Sequence, residues 1–176
     1  MEQKIFTEIG ELIITHAKPD ELETFLVVLE EAEQWFLSKG IVQWPAGCHR
    51  RCSDYYKKEI ERQTVFFARK DNEVVAAFLF AAPTWLDKKL WEDLTETSFH
   101  IHRLTVRRAY AGHAIGAAIL KWAESITAAF KRKSLRTDCA AENPALRKYF
   151  EDHGFTFQGR VDGQGWKAAL YEKQMK

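Results

Sequence analysis

The amino-acid sequence predicts an α/β (α+β) fold in which a mixed central β-sheet of about six to seven strands carries helices on both faces. Three observations lead there. Apolar spacing gives the order strand, two helices, three strands, helix, strand, helix, two strands, and elements interleaved in this way pack as a sheet covered by helices. The stretch 99–122 runs from a β-branched and aromatic segment through a turn of small residues into an amphipathic helix. With 176 residues, of which 46% are apolar and 29% charged, the chain is long enough for one domain, 1–176, with its own core.

Residues 11–17 read as the first strand, ending before Pro19. Over 19–39, Leu22, Phe25, Leu26, Leu29, Ala32 and Phe36 recur at helical spacing and Gly40 supplies the stop. An apolar loop, 41–49, punctuated by Pro45 and Gly47, leads to a second helix from about 54 to 62. The β-rich runs 64–70 and 73–81 flank Asp71-Asn72, the pattern of a hairpin. Residues 83–97 mix aromatics with charges and read as a mobile or partly helical loop. The chain closes with a second hairpin, in which Phe157, Val161 and the run 166–171 bracket a turn at 162–165.

Between these lies the part that carries chemistry. Residues 99–106 form a strand, and Ile115, Ile119, Leu120 and Trp122 make one apolar stripe on the helix that follows. The turn joining them is Ala111-Gly112-His113-Ala114-Ile115-Gly116. Side chains this small admit a ligand to the backbone, and the first N–H groups of the helix are left to point at it, an arrangement suited to a pyrophosphate. Downstream, 135–139 is a short strand and Asn143, Pro144 and Gly154 are the N-cap, first-turn residue and stop of a helix.

The stretch Leu104-Thr-Val106 followed by 107–120 resembles the acetyl-CoA-binding motif of the GNAT superfamily of N-acetyltransferases, summarised as Arg/Gln-x-x-Gly-x-Gly/Ala. Ala111 stands where the family often has Arg or Gln, and Ala114 where it usually has the first Gly of the pair. Residues 143–155 resemble the family's second cofactor segment, in the expected order and at the expected separation. The element order is also that of the GNAT fold.

The resemblance implies acetyl-CoA as cosubstrate, its pantetheine paired with the strand near Leu104 and Val106 and its phosphates near Arg107 and the turn Ala111, Gly112, His113, Ala114, Ile115, Gly116 and Ala117, with Asn143 beside them. Arg108 stands either near the phosphates or at a solvated strand end. Tyr149 occupies the position of the family's general acid, although it also shares a helix face with Leu146, Phe150 and His153, so a packing role stays open. His100 and His102 alternate on one strand face with Leu104 and Val106. Either imidazole, with an ordinary pKa near ~6.5, can take a proton from an attacking amine, or can simply be hydrogen-bonded in the core. Glu96 and Asp138 stand behind them as candidates. Trp44 reads either as packing or as a wall of the acceptor cleft, and Trp85 and Trp91 either as aromatic anchors of a surface loop or as further walls; as walls they favour an acceptor of apolar or cationic character.

The expected function is therefore transfer of an acetyl group to a primary amine of a small molecule in a ternary complex. A protein or peptide acetyltransferase and a non-catalytic CoA-binding module remain as alternatives. Lys plus Arg number 26 against 25 Asp plus Glu, so no overall field favours nucleic acid or an anionic membrane. Three Cys suit a reducing cytoplasm rather than a disulfide framework, and Cys48 and Cys52 lack a second ligand pair at zinc spacing, so no metal is expected. No stretch approaches the ~20 apolar residues of a membrane span. A homodimer is left open.

Overall fold

The computed structural model of the protein describes residues 3–84, 87–92, 97–163 and 165–176. Its elements run β1 (Gln3–Thr7), β2 (Gly10–His16), α1 (Leu22–Ser38), α2 (Cys48–Arg51), α3 (Ser53–Glu61), β3 (Val65–Lys70), β4 (Glu73–Ala81), α4 (Asp87–Leu90), β5 (Ser98–Val106), α5 (Ile115–Ala129), β6 (Ser134–Ala140), α6 (Pro144–Asp152), β7 (Thr156–Gly163) and β8 (Trp166–Gln174). The strands form one eight-stranded sheet in the order β1-β2-β3-β4-β5-β6-β8-β7. Among the described residues only β5 and β6 pair in parallel; the other neighbours are antiparallel. The mixed sheet with helices on both faces is thus as expected.

The sheet has one strand more than the sequence indicates. β1 pairs with β2 from Gln3↔Ile14 to Thr7↔Gly10 and buries only Ile5. A sheet-edge strand with one inward apolar side chain has almost no periodic signal to read. The short helix α2, one turn set against α1, was not expected, whereas α4 falls in the segment read as partly helical and forms where the Asp87 carboxylate accepts from the Thr84 N–H and hydroxyl. The hairpin between β3 and β4 forms as read, with both Asp71 (φ 48°) and Asn72 (φ 70°) in the left-handed region that a type I′ turn requires.

Alternation along the strands divides the core. Phe25, Leu26 and Leu29 of α1 and Tyr56 and Ile60 of α3 pack on Val65, Phe67, Ala77 and Leu79. On the opposite face, Ile115, Ile119 and Trp122 of α5 pack on Ile14, Val75, Phe78 and Ile101 with Phe150 and Tyr171. Among the described residues no helix is long and apolar enough to cross a membrane.

Two irregularities in β5 create the site. β5 pairs with β6 only over Ser98↔Ser134, Phe99↔Leu135 and His100↔Arg136. Beyond that, the Thr137 hydroxyl donates to the Ile101 carbonyl at 2.9 Å and no further backbone pairing follows, so the two strands part. Along its other edge β5 pairs Leu79↔His102 and then Ala77↔Thr105, one residue more on β5 than on β4. Arg103 sits in this bulge at φ 54°. A bulge bends its strand and re-aims its side chains.

Candidate active site

The parted strands open into a cleft of about 420 Å³ floored by residues 102–106 of β5 and walled by Thr137 and Asp138 of β6. The N-terminus of α5 and the turn before it close one end. Trp35, Phe36, Ile41 and Trp44, from α1 and the loop after it, cover the other side. Leu104, Val106, Ala111, Gly112, Ala114, Ile115, Gly116, Asn143, Tyr149, His102 and Trp44 all line this one cleft. Arg103, Thr137 and Asp138 line it as well, and of these only Asp138 stood among the sequence-derived candidates.

The turn into α5 folds as its small residues allow. Gly112 lies at φ 87° and Ala114 at φ 55°, and α5 starts at the next residue. Alternating left-handed residues ahead of a helix point successive N–H groups to one side, a concavity that suits an anion. Ala114 holds a conformation that glycine takes without strain, so the alanine here carries a local cost of about 1–2 kcal/mol. Gly116 is required for another reason: a Cβ at this position would meet the Tyr149 hydroxyl at 2.7 Å. The tyrosine and the helix start are thus fitted to each other across the cleft. Burial alone pushes the Tyr149 phenol up to about 12, which keeps it protonated at neutral pH.

The histidines fall in a buried chain of alternating charges. His102 Nδ1 lies 3.0 Å from Asp138 Oδ1 and its Nε2 2.9 Å from Asp87 Oδ1. Burial opposes its charge, but the two carboxylates outweigh that, and its pKa is pushed up to about 10. His102 is therefore an imidazolium at neutral pH with both N–H groups donated. Burial would raise Asp87 and Asp138, yet the bonds from the histidines hold both below the usual carboxylate range. His100 Nδ1 contacts the same Asp87 oxygen at 2.7 Å, with its N–H not squarely aimed, and its Nε2 lies 3.0 Å from the Ser98 hydroxyl. Burial pulls the His100 pKa down despite Asp87, so this ring stays neutral.

This geometry changes the reading of several residues. His100 is 1% exposed and lies off the cleft, while His102 borders it with both ring nitrogens facing carboxylates and Asp138 borders it alongside. Arg107 does not line the cleft because its guanidinium is engaged by Glu31 at 3.1 Å and Glu73 at 3.5 Å, and Arg108 lines it instead, 3.9 Å over the Trp35 ring. His113 points outward, 3.8 Å from Glu8, and Ala117 faces a separate groove beside β1. Trp91 is buried against Ala168 and Leu170, with the Arg136 guanidinium 4.3 Å over its ring, and lines no part of the cleft. Trp85 and Glu96 lie outside the described residues. Asn143 caps α6, its side chain accepting from the Leu146 N–H at 3.1 Å and donating to Gln43 at 2.9 Å.

A model of the acetyltransferase (GNAT) family matches residues 28–155. The chain is 32% identical over 158 residues to an uncharacterized N-acetyltransferase, YesJ, of Bacillus subtilis, covering 89% of this chain and 86% of the relative. Among solved structures it is similar to a GNAT-family acetyltransferase from Listeria monocytogenes, with a TM-score of 0.83 at 24% identity, covering 98% of this chain and 99% of that one. It also shares its fold with the PaiA N-acetyltransferase of Thermoplasma acidophilum in complex with coenzyme A, with a TM-score of 0.71 at 18% identity, covering 93% and 98% of the two chains.

Proposed function

The chain belongs to the GNAT acetyltransferase family, and we propose that it transfers the acetyl group of acetyl-CoA to a primary amine of a small molecule by direct attack in a ternary complex. The observation that carries this reading is the single cleft that joins the turn before α5, the unpaired stretch of β5 and the Tyr149 hydroxyl. The coenzyme A complex of the Thermoplasma relative supports the choice of cosubstrate. So does the residue set itself: a concavity of backbone N–H groups suits a pyrophosphate, and Gly116 is a position where a side chain has no room. Acetyl-CoA supplies a thioester, whose C–S bond breaks as the N–C bond forms.

The chain's own groups meet the remaining needs. An alkylamine, with a pKa near ~10.4, reaches neutral water as the ammonium and must lose a proton before attack. Asp138, 19% exposed at its side chain, can hold that ammonium and pass a proton to solvent. A carboxylate held this acidic is a weak base, but it is fully ionised, and His102 fixes its direction. Backbone N–H groups of the parted β5 can donate to the carbonyl oxygen as negative charge develops. Tyr149 serves the departing sulfur as a hydrogen-bond donor. Burial holds this phenol protonated at neutral pH, so it meets the departing sulfur as a donor, and the thiol's proton comes from it or from solvent.

The test is thiol release from acetyl-CoA over a panel of primary amines, with the acetylated product identified by mass. Amine-dependent release is the expected result. Tight binding of acetyl-CoA with no turnover on any amine or peptide would replace this reading with that of a CoA-binding module.

A further inference from the structure

Arg103 lines the cleft with its charge braced by a tyrosine hydroxyl and not matched by a carboxylate. Arg50, Arg62, Arg69, Arg107 and Arg136 each meet a glutamate within ion-pair distance. Arg103 meets no carboxylate within that distance among the described residues, and the nearby Asp138 is already bound to His102. Its side chain is held from behind. Nε donates to the Tyr56 hydroxyl at 3.2 Å, and that hydroxyl in turn lies 3.0 Å from His49 Nδ1.

The direction of this chain follows from charge. Burial, reinforced by the Arg103 charge, pulls His49 down to about 3, so the ring is neutral. Tyr56 therefore accepts from Arg103 and donates to His49 Nδ1, leaving the second His49 nitrogen, 3.7 Å from Glu33, to carry the ring proton. The Arg103 Cζ lies over the Trp44 ring, 5.5 Å from its centre, so the cation that this indole attracts is supplied by the protein itself. Nε is thus used, while the two terminal nitrogens of the guanidinium have no partner among the described residues, in a residue that lines the cleft. A partly buried guanidinium with a free pair of N–H groups is a fork for an oxyanion.

We infer that the acceptor amine carries an oxyanion, a carboxylate or a phosphonate, seated on the Arg103 guanidinium beside Trp44. This rests on the acetyltransferase reading above and narrows its acceptor. It also revises the apolar or cationic character that the tryptophans alone suggest. The β5 bulge is what makes it possible: an added residue at φ 54° sets an arginine in a strand whose neighbours, His102 and Leu104, also reach the cleft. Arg103 then binds one end of the acceptor while Asp138, on the facing strand, receives the amine.

The experiment compares matched pairs. L-Amino acids are set against their primary amides, and 3-aminopropanoate and 2-aminoethylphosphonate are set against 3-aminopropanamide, with wild type, Arg103→Gln and Arg103→Lys. For at least one pair, wild type is expected to favour the anionic member at least tenfold in kcat/KM. Arg103→Gln should abolish that preference through KM while acetyl-CoA affinity stays within about threefold, and Arg103→Lys should restore part of it. Carboxylate and phosphonate arms distinguish a planar from a tetrahedral anion. Equal use of acid and amide by wild type, or an unchanged ratio in Arg103→Gln, overturns the inference. If no amine is acetylated, the transferase reading fails separately, and titration of the CoA-loaded protein with the same compounds, followed by NMR, still decides the subsite. Binding of the anions that Arg103→Gln loses upholds it, and no binding overturns it.

Discussion

Replacing Asp87 by Asn probes the buried charge chain that orients Asp138. The Asp87 side chain is 1% exposed; one oxygen meets His102 Nε2 at 2.9 Å and His100 Nδ1 at 2.7 Å, and the other accepts from Thr84 N–H at 2.6 Å. His102 is raised from 6.5 to about 10. Such a group stabilises the folded state fully below its unfolded pKa and loses that contribution as pH rises through its folded pKa. For these two values the contribution at pH 7 is of order 4 kcal/mol, shared between Asp87 and Asp138. The Asn variant keeps Asp138 and so forfeits about half, roughly 2 kcal/mol, and the amide also cannot satisfy both Thr84 and the histidines, for a total of about 3 kcal/mol. With a urea m-value near ~2 kcal/mol/M, the unfolding midpoint should fall by about 1.5 M at pH 7. The deficit should shrink between pH 8 and 10, where wild type itself loses the His102 contribution, and the His102 ring should titrate by NMR near ~8 instead of about 10. A loss below ~0.5 kcal/mol, or a deficit that grows toward pH 10, would refute the assignment of His102 as an imidazolium clamped between two carboxylates.

Tyr149→Phe removes the hydroxyl above Gly116 and should lower kcat by about 10- to 100-fold with acetyl-CoA affinity within threefold, read by steady-state kinetics and calorimetry. Wild-type kcat in that variant would reduce Tyr149 to packing. Ala114→Gly relieves a left-handed alanine at φ 55°. After the added freedom of the unfolded chain is subtracted, it should stabilise the protein by about 0.5–1 kcal/mol and raise Tm by about 2–3 °C in a thermal scan, and a fall in Tm would contradict the strain at this turn.

Much of this was legible because it repeats along the chain. Leu22, Phe25, Leu26 and Leu29 mark α1 by spacing alone, and all but Leu22 are fully buried. The small residues at 111–116 and the capped helix from Asn143 announced the turn and its neighbour, and the structure brings both to one cleft. Tertiary placement was not legible. Arg103 looks like any strand residue until the bulge with β4 puts it at φ 54°, and Asp87 sits in a mixed, charged segment with nothing local to mark its meeting with His102, 15 residues on. His100 and His102 were visible as a pair on one strand face. Which ring has its lone pair free depends on carboxylates brought by α4 and β6, and these leave neither ring free toward the cleft. Arg107 and Arg108 differ only in which acidic or aromatic neighbours the fold supplies. For Trp91 the sequence leaves an aromatic anchor and a binding wall both open, and the closeness of Arg136, Ala168 and Leu170 makes it an anchor.

The most direct measurement is calorimetric titration with acetyl-CoA of wild-type protein and of Gly116→Leu, whose Cβ would meet the Tyr149 hydroxyl at 2.7 Å and whose side chain would enter the cleft at the start of α5. Wild type should bind one equivalent saturably, and the variant, checked as folded by circular dichroism, should bind at least tenfold more weakly. Absence of binding to wild type, or equal binding by the two proteins, would contradict the placement of the cosubstrate between the turn, β5 and Tyr149.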